Sequence, residues 1–425
     1  MMLAEEASAP VAEKVGRAKL AVIGTISVAH DIPAALLQTL VPIIYTRALG
    51  LPLKDAWVFS IPIAVTALKW LWAPLVDRIG SVRFGRRRSW ILPTAFLVSL
   101  LYFTIAQVQP TLENIWWMVG LFLVVKIVFS THEIAADAYV AEALRGRQRG
   151  VGSAAVWLGK EIGQIVGLAG TLAIADAFGW SAAFSFVAVL FALLNLAVLL
   201  RAEDPPWQEA DAARTRGDRA SPLKYFREGV NRQVLALIFC FAFAVQMPPA
   251  IIGVFLSFKG LSLSEVGLAI GVAATAGAVV SLLAASRIVA RVGVKRLAIW
   301  LIPVGLLALP PFLYLTVVEG PTTALVIAVI FWGAVCTAPI RMAFYAARIG
   351  WTSRSQVGTD FTIQQSMWFL GYAASLAFSV RLADAYGFTV FFVVNGVLVT
   401  AMMLIFILRF DRISDGIAAW RARAP

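Results

Sequence analysis

The sequence predicts an all-α membrane protein: twelve transmembrane helices in two six-helix bundles, with both termini cytoplasmic. Three observations predict it. The 425 residues are 60% hydrophobic and only 14% charged, where a soluble domain carries about a quarter charged residues. Apolar runs long enough to cross roughly 30 Å of hydrocarbon as helices recur down the whole chain. They are too long and too uniformly apolar for barrel strands, the other structure that satisfies its backbone in lipid. Finally, lysine and arginine gather in alternate loops.

The spans read as 20–45, 56–76, 89–108, 114–141, 150–175, 180–200, 232–256, 263–286, 297–318, 322–346, 357–382 and 387–408. The first 19 residues are polar and mixed in charge. No small-residue cleavage site follows the first apolar run, so that run is expected to be a retained helix and not a signal peptide. Residues 201–231 form the one long polar interval, with Asp204-Pro205-Pro206 and, counting Arg232, seven basic residues. The expected organisation is an N-terminal segment 1–19, a bundle 20–200, a linker 201–231, a bundle 232–408 and a tail 409–425. With the N-terminus inside, the inner segments hold 28 lysines and arginines and the outer loops hold 4: Arg47, Lys54, Lys259 and Arg381. That bias puts both termini in the cytoplasm, and it accounts for the net charge of +12 without nucleic acid. The halves also repeat. Ile174-Ala-Asp-Ala-Phe-Gly-Trp180 returns as Leu382-Ala-Asp-Ala-Tyr-Gly-Phe388, and Tyr139 and Val151-Gly152 match Tyr345 and Val357-Gly358. Parallel six-helix repeats are one known build of transporters.

The clearest motif runs Lys69-Trp-Leu-Trp-Ala-Pro-Leu-Val-Asp-Arg78 and on to Gly85-Arg-Arg-Arg-Ser-Trp-Ile-Leu-Pro93. An acid in a tight inner loop can face a helix N-terminus, where the dipole favours an anion. The arginines after it can pair with acids or lipid phosphates. Asp77-Arg78 followed by Gly85-Arg86-Arg87-Arg88 resembles the loop between helices two and three of the major facilitator superfamily. With Lys69 and the proline included, the string resembles its peptide/acetyl-coenzyme A transporter branch, which holds AmpG-type muropeptide permeases and siderophore-uptake permeases. Thr131-His-Glu-Ile-Ala-Ala-Asp-Ala-Tyr139 is similar to that branch's Ser-Gln-Asp-Ile-x-x-Asp-Ala-Trp at the end of helix four, with His132-Glu133 in place of Gln-Asp. Arg149-Gly150 fits the start of its helix five. The muropeptide permeases usually have more spans than the twelve here, so the length favours the siderophore type. The resemblance implies the major facilitator fold, and a conformational-gating loop made of Lys69, Asp77, Arg78, Gly85, Arg86, Arg87 and Arg88.

Charges inside spans are costly in lipid and face a bundle interior or a watery cavity. Here they are Asp31 beside His30; Lys126, Glu133 and Asp137; Lys160 and Glu161; and Arg341. At about 100° per residue, Lys126, Glu133 and Asp137 share one helix face. In the fold resembled, helices one, four, seven and ten line the central cavity, which makes Asp31, Lys126, Glu133 and Arg341 candidate cavity groups. The alternative is pairing of these charges among themselves. His30 and His132 can either titrate near neutral pH or hydrogen-bond between helices. Gly159, Gly163, Gly167 and Gly170 allow close helix contact. Pro33, Pro42, Pro248, Pro249 and Pro339 predict bends.

No phosphate-binding lysine loop is present, nor any metal-ligand cluster or nucleophile triad. Cys240 and Cys336 sit in apolar runs without ligand spacing. The expectation is a monomeric, cofactor-free transporter of the bacterial inner membrane, not an enzyme. It would take up a polar, partly anionic solute of siderophore or muropeptide type with protons, by alternating access. A sugar–cation symporter, suggested by Phe84-Gly85-Arg86-Arg87-Arg88, and a non-transporting sensor are the alternatives.

Overall fold

The computed structural model describes residues 17–33, 36–81, 84–143, 156, 159–200, 222–352 and 357–423. Among these residues nine helical stretches are long and apolar enough to cross a membrane. The one β contact is an isolated bridge between Ser81 and Gly85. Two of the nine are far too long for a single crossing: Gly159–Leu200, of 42 residues, and Asp360–Ala422, of 63. Each is broken at a glycine. Gly179 has φ 79° and Gly387 φ 80°, a left-handed conformation that a Cβ disfavours. These glycines hold the same place in the repeated strings 174–180 and 382–388, so the repeat encodes the break between consecutive helices.

The span expected at 56–76 is not among the nine. It is a chain of short pieces: 3-10 turns at Leu53–Phe59 and Thr66–Leu71 alternate with α-turns at Ser60–Val65 and Ala73–Arg78. Pro52, Pro62 and Pro74 each withhold a backbone N–H, which breaks a continuous i to i−4 ladder. Prolines act similarly elsewhere. The Arg17–Asp31 helix stops just before Pro33. Wide π-type turns at Leu36–Leu40 and Ile44–Ala48 flank Pro42. The Gly229–Val245 helix gives way to Met247–Phe258 at Pro248-Pro249. In contrast, Pro339 lies within the continuous Thr323–Gly350 helix.

The segment expected as a tail from 409 is helical to Arg423. Ile413, Ile417 and Trp420 are buried on one side of it, the spacing of an apolar helix face. Trp420 meets Tyr225 of the short Pro222–Arg227 helix, ring centroids 6.2 Å apart. Residues 1–16, most of the linker (201–221) and the 144–155 stretch with Arg149, Gly150, Val151 and Gly152 lie outside the described residues.

Packing is dense within each half and continues between them. Arg88–Gln107 packs on Thr171–Leu196 and Ile115–Ala143; Ala274–Val292 packs on Thr323–Gly350. Between the halves, Leu53–Leu71 lies along the Val357–Arg423 helix, and Leu36–Ile43 meets Met247–Phe258. The π-turns Val166–Gly170 and Leu268–Ala273 also touch. There, a Cβ on Gly271 would lie 2.8 Å from the Ala169 nitrogen, so this crossing needs glycine.

Candidate functional site

A cavity of about 450 Å³ lies between the halves. Its walls differ in chemistry. The N-terminal half contributes His30 and Asp31 from the last turn of Arg17–Asp31, Gln38 and Thr39 from the π-turn beyond Pro33, Lys126 and Glu133 from Ile115–Ala143, and Gln164. The broken first helix turns His30 and Asp31 toward the stripe that Lys126 and Glu133 form on one face. Glu133 is the hub. His30 Nε2 lies 3.4 Å from its Oε1, and Lys69 Nζ donates to its Oε2 at 3.5 Å. Lys126 stands over the Phe129 ring at 5.3 Å. Among the described residues, Asp31, Lys126 and Arg341 make no hydrogen bond or ion pair.

Lys69, grouped with the gating loop in the sequence, pairs with a cavity charge. It sits in a predicted gating motif, yet its side chain is 8% exposed and paired with Glu133, with the Phe369 ring 5.5 Å from its ammonium. Its signal was a lone lysine within an apolar run, the same signal that singled out Lys126. His132 faces away from the cavity. Its Nδ1 is 3.2 Å from Thr94 Oγ1 and 3.3 Å from the Ile91 carbonyl, and its ring lies between Phe129 and Phe191. That is the interhelical hydrogen-bonding alternative. Asp137 and Lys160 line a second, small cavity of about 50 Å³. His30 lines both, so it stands between them. Glu161 lines neither; it is half-buried one residue from Lys160.

The C-terminal half supplies the other wall, with Arg341 as its one charge. Its remaining lining is largely Leu, Ile, Val, Phe and Met side chains, with Thr337, Asn395 and Thr400 among them. Polar residues of this kind, like Gln38 and Gln164 opposite, were not singled out from sequence, because an uncharged polar side chain in a span is common.

Of the loop residues, Asp77 and Arg78 close the Ala73–Arg78 helix and their side chains lie outside the described residues. Gly85 turns the chain with φ 105°, and its N–H bonds back to the Ser81 carbonyl at 3.0 Å. Arg86 and Arg87 are buried, not solvated. Arg87 Nη1 donates to the Val76 carbonyl at 3.5 Å. A Cβ on Gly80 would lie 2.6 Å from Arg86 Cγ and 2.9 Å from its Cα, so Gly80 is what lets the arginine segment close.

Residues 23–347 match the model of the Major Facilitator Superfamily. The chain is 31% identical over 155 residues to the anhydromuropeptide permease of Escherichia coli K12, covering 36% of this chain and 31% of the relative. Thus the chain spans about a third of that relative's length. A protein of Haemophilus influenzae is 26% identical over 242 residues, 55% of this chain and 56% of the relative. Among solved structures, a POT family transporter in complex with 5-aminolevulinic acid superposes with a TM-score of 0.70 at 13% identity, over 93% of this chain and 96% of that one. At that identity the likeness is one of fold.

Proposed function

The chain belongs to the Major Facilitator Superfamily, and on that premise we propose that it is a proton-coupled secondary transporter taking a polar-headed, partly anionic solute across the bacterial inner membrane. It is an integral, multi-pass membrane protein and a transporter by family. The twelve-span reading rests on the nine long stretches, the breaks at Gly179 and Gly387, and the proline-broken segment Leu53–Arg78. The two bundles are 20–200 and 232–408, joined by 201–231, and lysine and arginine put both termini inside.

One observation carries the reading: charges from both halves face a single cavity, and two cations there, Lys126 and Arg341, make no hydrogen bond or ion pair among the described residues. Two cations that face one cavity without an ion-pair partner favour an anion between them. Arginine adds a rigid fork suited to carboxylate or phosphate. The solute bridges the halves, which gives its binding leverage over their relative position. Similarity to the anhydromuropeptide permease over 155 residues makes an anhydromuropeptide the first solute to test.

Coupling follows from the same geometry. Asp31 makes no hydrogen bond or ion pair among the described residues and sits one residue from His30, which lies 3.4 Å from Glu133 and also lines the small cavity beside Asp137 and Lys160. A proton reaching Asp31 neutralises a charge facing the solute, and His30 offers the route between the two cavities. Lys69, Glu133 and His30 hold a fixed local charge balance around that step. The test is uptake of radiolabelled anhydromuropeptide into proteoliposomes under an imposed pH gradient. Wild type should accumulate it, whereas Asp31→Asn should exchange without accumulating. Accumulation that ignores the pH gradient, or follows sodium, would sink proton coupling; absence of any uptake would sink the substrate class.

A further inference from the structure

We propose that the C-terminal half contains a hydrocarbon-binding chamber, and that the solute is an amphiphilic anion whose apolar body lies there while its head stays among the charges of the N-terminal half. This rests on the transport reading above and deepens it.

The chamber follows from which elements line the cavity. On the C-terminal side most of the lining comes from four segments: Met247–Phe258, the broken pair Val294–Leu306 and Leu309–Val317, Thr323–Gly350, and the part of the last long helix beyond Gly387, with Val245, Ile270, Ala274 and Phe369 added from outside them. Prolines open two of these. Pro248-Pro249 starts the first, and Pro310-Pro311 restarts the second after a gap at Leu307-Ala308. Glycines in the others let Phe312 and Leu309 seat closely against them. A Cβ on Gly333 would lie 2.6 Å from Phe312 Cε2, and one on Gly396 would lie 3.3 Å from Leu309 Cδ2. The apolar side chains around the resulting space include Leu301, Ile302, Leu309, Phe312, Val399 and Met403.

The few polar side chains on this wall have little to offer a polar solute. Thr337 donates to the Gly333 carbonyl at 2.8 Å, Thr400 to the Gly396 carbonyl at 2.8 Å, and Asn395 Nδ2 to the Ala244 carbonyl at 2.7 Å. Both threonine donors and one of the two on Asn395 are committed to backbone. A sugar hydroxyl or peptide amide placed here would find few replacements for its water bonds, which is costly. Hydrocarbon placed here gains from burial. Arg341 stands on the same wall and, with Lys126 opposite, marks where the anionic head lies.

The test uses full-length protein in lipid nanodiscs with Cys240→Ser and Cys336→Ala. A reporter cysteine, Thr400→Cys, is placed in the chamber, and its maleimide labelling rate is followed. Two probes share one headgroup: N-octanoylglycine and N-acetylglycine, which differ by six methylenes. N-octanoylglycine should protect the reporter at a concentration at least about tenfold lower, a fraction of what six buried methylenes can give. Filling the chamber with Val399→Trp, or Ile302→Trp if the first folds poorly, should erase that advantage. Labelling at lipid-facing Val397→Cys (Val397 is 63% exposed) should be unaffected by either probe, which excludes bilayer partitioning. Equal potency of the two probes, no protection by either, or a tail advantage that survives the filled chamber would overturn the proposal. The gradient-driven uptake measured for the proposed function is read separately. Uptake without tail dependence refutes the chamber alone; no uptake of any solute refutes the transport reading.

Discussion

At the scale of single residues, Glu133 is the most constrained group in the cavity. It is shared by His30 at 3.4 Å and Lys69 at 3.5 Å, and the carboxylate and ammonium side chains are each 8% exposed. Breaking a buried pair on one side leaves the other charge uncompensated, at a cost of about 3–5 kcal/mol, whereas replacing both can be nearly neutral. Glu133→Gln should therefore lower thermal stability in detergent sharply, since it strands Lys69. Lys69→Met should do likewise, and the double variant should recover much of the loss. The coupling, read as a double-mutant cycle on the melting temperature, should be at least about 1 kcal/mol. Additive effects would show that Lys69 and Glu133 are not partners. Such pairing was only half visible in the sequence. Asp31, Lys126, Glu133 and Arg341 stood out as charges in apolar runs, and the structure brings all four to one cavity. Lys69 lies 64 residues from Glu133, and no local pattern pairs groups at that distance.

Among elements, glycine decides how closely the first helix approaches the fifth. A Cβ on Gly159 would lie 2.6 Å from the Gly24 carbonyl oxygen, one on Gly163 2.3 Å from the Val28 carbonyl oxygen, and one on Gly167 2.9 Å from Ile32 Cα. Gly170, the fourth of the series, meets only ordinary contacts near 4 Å. Three of the four thus belong to one crossing, along the Gly24–Ile32 stretch that carries His30 and Asp31. Because the obstacle is backbone, not a flexible side chain, Gly163→Ala forces the helices apart. It should cost about 1–3 kcal/mol as overpacking and disturb the His30–Glu133 contact. Gly170→Ala should be close to neutral. A melting temperature equally unchanged in both variants would mean the helices are not this close. The spacing of these glycines was legible in the sequence, as was the break encoded by Gly179 and Gly387. The second span was less so: its apolar composition announced a helix, but Pro52, Pro62 and Pro74 divide it into 3-10 and α pieces. Hydropathy counts side chains and is blind to the loss of backbone donors.

For the whole molecule, contacts between halves extend along Leu53–Leu71 against the Val357–Arg423 helix, down to Trp70 and Phe226 with ring centroids 5.6 Å apart, and they also close the end away from the termini. Leu36–Ile43 meets Met247–Phe258 there, and Val166–Gly170 meets Leu268–Ala273. Ser264 N–H donates to Asp176 Oδ2 at 3.3 Å, joining the segment before Gly179 to the capping turn at Ser262–Glu265. Within the C-terminal half, Lys259 ties its own helix end to the next by donating to the Thr316 and Val318 carbonyls at 2.7 and 2.8 Å. If the protein works by alternating access, this far-end contact must open once per cycle, because the solute has no other way to pass between the halves on that side. Moving between such states requires only that the solute bind them differently, and a few hydrogen bonds at a rim are a modest barrier. A covalent bond across the same place is not. With Cys240→Ser and Cys336→Ala as background, the pair Asp176→Cys and Ser264→Cys should be joined by a short methanethiosulfonate cross-linker, which should abolish uptake into proteoliposomes. Reductant should restore it. Maleimide should still reach a cysteine at Thr400 from the side that holds the termini, since the lock leaves that side free. Undiminished uptake after complete cross-linking would mean that the far end does not gate the path, and that the two halves do not rock about the cavity.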